Sequence, residues 1–317
     1  TTPFTFTATA EVIGYLGARP VFVDVDPGTL NINPARVEEA LENGRHGAVR
    51  AILPVHFAGH PCDMDRLLGI ARQYGLRIVE DAAHAAGAAR HVDGRGMTRI
   101  GAIGDLTCFS FYATKNITSA EGGMVTTEDD TLAERIAVAS LHGMNRDAWK
   151  RYERSGSWYY EIHDVGFKYN LSDVHSAIGL AQLRRADDFM RRRSAIATAY
   201  SEAFRSVDAL QVPYSERAVE HAWHLYVLRL KPALLRIGRD QLVELLRERG
   251  IGTSVHCIPL HTMHFYQQRF GYRTGDFPVA ENVYSRCLSL PIFPSMTDED
   301  VSYVIENVLD LIRDNRR

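Results

Sequence analysis

Leu76-Arg77-Ile78-Val79-Glu80-Asp81-Ala82-Ala83-His84 decides the fold. An apolar, β-branched run of strand length ends in an acidic pair and is followed by small residues, so it reads as a buried strand leaving its core. The residues ahead of it extend that reading. A helix is expected from about Asp63, with Leu67, Ile70, Ala71 and Tyr74 on one face and a stop at Gly75. Before that helix, Ala51-Ile52-Leu53-Pro54-Val55 reads as another strand. Strand, helix and strand in this order form the crossover of a parallel sheet.

The pattern continues in both directions. Val21-Phe22-Val23 reads as a strand, and the helix after it takes Asn33 as N-cap and Pro34 at its first position. Leu106 to Phe111 and Met124 to Thr127 read as further strands, with a turn at Gly122-Gly123. A long helical stretch is expected from Ser172 to about Arg205. In the second half, residues 222–230 and 251–258 read as strands, and 239–249 and 298–312 as helices. The last helix has Thr297 and Asp300 at capping-box spacing and a buried stripe of Val301, Val304, Ile305 and Val308.

Composition narrows the function classes. A net charge of -3 leaves no broad basic field for a phosphate backbone, so nucleic-acid binding has no support. No apolar run approaches the roughly 18 residues of a membrane span. Cys62, Cys108, Cys257 and Cys287 lie far apart with no CxxC pair, which argues against a metal knuckle and a disulfide framework and suits a reducing cytoplasm. The chain opens at Thr1-Thr2-Pro3, already inside what reads as a working motif, so an N-terminal segment is expected to be missing.

Four lysines occur: Lys115, Lys150, Lys168 and Lys231. Lys150 and Lys168 sit among charged or polar neighbours, and Lys231 precedes a proline. Lys115 follows the apolar strand Cys108-Phe109-Ser110-Phe111, and a lysine just beyond a buried strand end is partly desolvated, which favours its neutral, nucleophilic form. Taken alone, a loop lysine snorkels to solvent and a strand-ending Asp81 caps a helix. Together, Asp81 and Lys115 at the carboxyl ends of neighbouring parallel strands place an anion and an amine where such sheets gather ligands. Ser110, at the same strand end, offers a hydroxyl to a phosphate oxygen.

Those residues carry a resemblance. Val79-Glu80-Asp81-Ala82-Ala83-His84-Ala85, Phe109 to Thr118, Glu121-Gly122-Gly123, Gly166 to Asp173 and Leu290-Pro291-Ile292-Phe293-Pro294 are similar to the DegT/DnrJ/EryC1/StrS sugar aminotransferases. The resemblance implies an aspartate-aminotransferase-like (fold type I) α/β fold. A large domain with a mostly parallel sheet would span 1–190, and a smaller α+β C-terminal domain 191–317. It implies pyridoxal 5'-phosphate as cofactor, carried by Lys115, with Asp81 on the pyridine nitrogen. His84 would lie close to the ring, Ser110 would hold the phosphate, and Phe6 would stack on the ring. Asn170 would reach the phosphate of a neighbouring subunit, giving a homodimer with shared active sites.

The implied reaction takes an amino group from glutamate, releasing 2-oxoglutarate, and gives it to a nucleotide-linked keto sugar. Within the family, Pro54 to Gly59, Lys115 to Thr118, Lys168 to Leu171 and Ala222 to Leu225 are most similar to the branch that makes UDP-4-amino-4-deoxy-L-arabinose for lipid A modification. His256 and His261, near a Pro-Leu-His turn, are candidate substrate contacts. The alternatives are a sugar dehydratase, which carries histidine in place of the lysine, and a non-catalytic sugar-binding or regulatory relative. A nicotinamide enzyme is disfavoured because no GxGxxG follows the first strand.

Overall fold

The computed structural model describes residues 1–44, 47–144 and 159–317. Its strands are β1 (Ala51–Ile52), β2 (Arg77–Asp81), β3 (Ala89–Val92), β4 (Gly96–Arg99), β5 (Leu106–Ser110), β6 (Gly123–Thr126), β7 (Leu210–Gln211), β8 (Val219–Glu220), β9 (Tyr226–Leu230) and β10 (Cys287–Leu290). The sheet that positions the site has the order β1-β2-β5-β6. β1, β2 and β5 run parallel, with Ile52 beside Ile78 and Asp81 beside Cys108, while β6 returns antiparallel and sets Gly123 beside Ser110.

The crossover between β1 and β2 is the helix Met64–Tyr74. Asp63 caps it through the Arg66 N–H, and Gly75 ends it in the left-handed region at φ 64°. Leu67, Ile70 and Ala71 are buried on the sheet with Ile52, Ile78 and Ala82. Asn33 caps Pro34–Glu42 through the Ala35 N–H, and Thr297 and Asp300 form the expected capping box on Asp298–Asp314. Val301, Val304 and Val308 of that helix are buried against a second, antiparallel sheet, β10-β9-β7. A further core joins Phe4, Phe22 and Phe57 to Val227, Tyr266 and Phe277, so the first residues of the chain pack against its last third.

Several expected strands take other forms. Val21-Phe22-Val23 is no strand: its ladder is limited to the Val23 N–H bonding Thr1 O and the Thr1 ammonium bonding Val21 O, both at 2.9 Å. Phe22 and Val23 are nevertheless buried, so the apolar run reported burial rather than a strand partner. The 51–55 run pairs regularly only over Ala51–Ile52, because Pro54 has no N–H to give. Residues 251–258 form only the isolated bridge Ser254–Ser289, and 222–230 is regular only from Tyr226. The helical stretch from Ser172 splits into Asp173–Leu183 and Ala186–Phe204. The hairpin β3–β4, which β8 joins in a third sheet, was not foreseen.

Candidate active site

β2 delivers Asp81 to the carboxyl edge of the parallel sheet. Its backbone is held on both sides, with Asp81 N–H donating to Pro54 O at 2.8 Å, His56 N–H donating to Asp81 O at 3.0 Å, and Ala82 N–H donating to Cys108 O at 2.8 Å. Both carboxylate oxygens are also engaged. Oδ2 accepts from Thr9 Oγ1 at 2.5 Å, and Oδ1 from the Ala83 N–H at 3.0 Å. Because the Thr9 proton goes to Asp81, the 3.0 Å contact between Thr5 Oγ1 and Thr9 Oγ1 has Thr5 as donor. The helix Ala8–Tyr15 thus fixes where the negative charge sits.

On the reverse face of β2, Glu80 is fully buried. Its Oε1 accepts from Gly104 N–H and Thr107 Oγ1, each at 2.7 Å, and its Oε2 lies 2.8 Å from His56 Nε2. The Cys62 N–H points at His56 Nδ1 from 3.0 Å, so the proton of that ring is on Nε2 and is donated to Glu80. Burial pushes the Glu80 carboxyl up, but the bonds from His56, Thr107 and Gly104 outweigh it and hold Glu80 below the ordinary value of 4.5.

Lys115 stands five residues after the end of β5, in the turn closed by its own N–H to Tyr112 O at 2.9 Å. Burial lowers its pKa below the ordinary 10.5, with the charge of Asp81 and then Cys257 pulling upward. The carboxylate and the amine therefore act on one another across the strand ends. The other described lysines, Lys168 and Lys231, are exposed, and Lys150 lies outside the described residues.

Three histidines feel the charge of Lys115. His84 and His224 are held well below the ordinary histidine value, by burial first, and His256 is lowered for the same reason. The His84 and His224 rings lie 4.3 Å apart, and His256 Nδ1 lies 3.1 Å from Ser289 Oγ. Ser110, the last residue of β5, is half-buried and accepts the Tyr112 N–H at 3.3 Å. Phe6, one turn before Thr9, is 70% exposed.

Two anticipated residues bond to other partners. Asn170 bonds to the Lys168 amine through Oδ1. His261 is 0% exposed, with Nε2 2.7 Å from Glu281 Oε1 and its ring edge-on to Phe277 at 4.8 Å. His261 is thus fully buried in this chain, against Glu281 and Phe277. Thr9, Asn116 and His224 were missed: as Thr-rich, Asn and aromatic-flanked residues they carry no local pattern that separates them from turn or core positions.

Residues 1–309 match the DegT/DnrJ/EryC1/StrS aminotransferase family. A Methanocaldococcus jannaschii protein of uncharacterised function is 51% identical over 316 residues, covering 100% of this chain and 80% of that protein. The spore coat polysaccharide biosynthesis protein SpsC of Bacillus subtilis is 48% identical over 314 residues, covering 99% of this chain and 78% of SpsC. A Streptococcus pneumoniae protein solved in its PLP form has a TM-score of 0.85 at 29% identity, covering 99% of this chain and 80% of that chain. The architecture is that of the fold type I pyridoxal-phosphate aminotransferases.

Proposed function

This chain belongs to the DegT/DnrJ/EryC1/StrS aminotransferase family, and on that footing we propose that it moves an amino group from glutamate to a nucleotide-linked keto sugar, with UDP-4-keto sugars as the leading class. Its cofactor is pyridoxal 5'-phosphate, which when bound supplies an electron sink for charge developing at the substrate carbon. The donor set fits that group: a partly desolvated primary amine, and a carboxylate whose two oxygens are each pinned by a donor.

In this reading Lys115 is the covalent anchor. With cofactor and donor bound, Lys115 would be the base that takes the proton from the donor's α-carbon and holds it for return. Its lowered pKa suits both tasks, since the neutral amine is the form that attacks and accepts. With the cofactor bound, Asp81 would keep its ring nitrogen protonated, His84 would lie close to the ring, Ser110 would offer its hydroxyl to the phosphate, and Phe6 would stack on the ring. His256 contacts substrate. Asn170 would serve the site of a second copy in a homodimer.

We also propose a large unit of 1–190 and a small unit of 191–317, linked through the helix Ala186–Phe204, and a cytoplasmic setting, in keeping with four free cysteines. Among the described residues no helix is long and apolar enough to cross a membrane. The narrower UDP-4-amino-4-deoxy-L-arabinose branch draws no support from SpsC, which belongs to spore coat polysaccharide synthesis. The proposal therefore stops at nucleotide-linked keto sugars, UDP-4-keto sugars first among them, and names no individual sugar.

The single observation that carries this reading is the partly buried Lys115 amine under the charge of a fixed Asp81. The test loads the protein with pyridoxal 5'-phosphate and compares it with Lys115→Ala. A visible band of lysine-bound cofactor, lost in the variant, and release of 2-oxoglutarate from glutamate are expected. An identical spectrum in both proteins refutes it. A panel of nucleotide-linked keto sugars then separates amination from dehydration.

A further inference from the structure

The residue that follows Lys115 is wired into the histidine pair. Asn116 is 5% exposed, and its Nδ2 donates to Ala222 O at 2.7 Å. A backbone carbonyl only accepts, so this bond fixes the amide orientation and leaves Oδ1 facing His224 Nδ1 at 3.0 Å. An amide oxygen also only accepts. The His224 proton is therefore on Nδ1, and Nε2 keeps its lone pair. Against the other ring, the Ala58 N–H points at His84 Nδ1 from 3.3 Å, which puts the His84 proton on Nε2. The two rings hold opposite tautomers, 4.3 Å apart and tilted by 34°.

The turn that carries His224 is seated as firmly. Ala222 N–H donates to Gly59 O at 2.9 Å and Leu225 N–H to Ala58 O at 3.2 Å, so the segment that caps His84 also holds His224. Gly59, at φ 95°, lets the backbones close up: a Cβ there would lie 2.9 Å from both Ala222 Cβ and His84 O. Arg193 Nη1 reaches Trp223 O at 3.0 Å and Ile292 O at 2.9 Å, bracing the turn from behind.

We propose that Asn116 and His224 are positioning residues: Asn116 sets the tautomer of His224, and the His224 ring sets the tilt of His84 and ties it to the loop of Lys115. This rests on the reading of Lys115 as the cofactor anchor. The groups facing His224 from the surrounding elements are His84, Lys115, Arg193 and His256, and those facing His84 are His224, Lys115 and His256. Burial holds both rings well below the ordinary histidine value, and every one of these groups is a cation or becomes one on protonation, so neither ring of the pair gains a proton near neutrality. The amine of Lys115 then changes its charge beside two rings whose own charge stays fixed.

The first experiment needs no cofactor. Nitrogen-15 NMR of the histidine rings in the unloaded protein should show His224 neutral and protonated on Nδ1 at about pH 6.5, where an ordinary histidine is half-charged. A His224 that is charged there, or carries its proton on Nε2, overturns the proposal. The second uses the loaded enzyme. His224→Phe keeps the ring and removes the donor; kcat should fall about tenfold, glutamate KM should stay within about twofold, and the midpoint of the cofactor band's pH titration should move by about one unit. An unmoved midpoint also overturns it, because a purely structural residue would change only the yield of folded enzyme. Asn116→Asp offers His224 a carboxylate and should add an acid limb to the pH–rate profile; its absence in a folded variant counts against the proposal. If the wild type binds no cofactor, the reading of Lys115 fails while the NMR result still decides the tautomers.

Discussion

Thr9 Oγ1 donates to Asp81 Oδ2 across 2.5 Å, joining the first helix of the chain to the acidic end of β2. The bond matters because a carboxylate that serves a ring nitrogen must be anchored by something other than that ring. Thr9 does this with a hydroxyl that Thr5 supports from behind, so the charge of Asp81 keeps one direction.

Thr9→Val removes that donor with little change of shape. A hydrogen bond to a charged group contributes on the order of 1.5–3 kcal/mol, and about 1.4 kcal/mol is tenfold in rate. A loss of kcat of tenfold or more is expected, with the unfolding temperature lowered by a few degrees at most in a variant that still folds. Steady-state kinetics with glutamate check this; a wild-type kcat would show that Asp81 needs no help from Thr9.

Burial makes the Lys115 ammonium unfavourable in the folded chain, so the unloaded protein should gain stability from Lys115→Met at neutral pH. The sign follows from a folded pKa below the ordinary 10.5. The penalty is complete below the folded value and fades as pH rises from there towards 10.5, where both states lose the charge. Unfolding temperatures of the two unloaded proteins should differ at pH 7 and converge in strong base. A constant gap across that range would mean that the methionine acts through packing alone.

Glu80→Gln should cost about 2–3 kcal/mol at pH 7, since it exchanges a buried acceptor for an amide whose N–H₂ faces the His56 Nε2–H. In the wild type this stabilisation is present above pH 4.5 and is lost as pH falls from there through the lower folded value. Urea unfolding at a series of pH values should therefore show an acid slope that is shallower in the variant. Equal slopes would remove Glu80 as the source.

Gly59→Ala and Gly69→Ala form a matched pair. At Gly59 a Cβ meets Ala222 Cβ and His84 O at 2.9 Å with φ at 95°, and a loss of about 2 kcal/mol or more is expected. Gly69 lies inside the helix Met64–Tyr74 with nothing within 4 Å, so alanine there should stabilise by about 0.5–1 kcal/mol. Denaturant midpoints decide both. A tolerated alanine at 59 would mean that the 222–225 turn is free to shift.

Helix ends were legible because their chemistry is local. Asn33, Asp63 with Gly75, and Thr297 with Asp300 each act within a few residues of the element they bound. Strands were legible only where a partner existed. Val21-Phe22-Val23 and residues 251–258 have the apolar texture of strands, yet ladder pairing depends on a second segment whose position no local pattern encodes. His261 shows the same limit at a side chain, since a histidine in a Pro-Leu-His turn reads alike whether it faces substrate or, as here, Glu281.

By itself the sequence determined the parallel crossover around β2, the scarcity of lysines that isolates Lys115, and the Asp81 and Ser110 positions at strand ends. Those rest on periodicity and residue chemistry within short windows. The tertiary structure decided what holds these groups in place: Thr9 on Asp81 across 72 residues of chain, and Asn116 on His224 across 108. Bonds at such separations follow from how the sheets and helices pack, so they have no trace in any one stretch of chain.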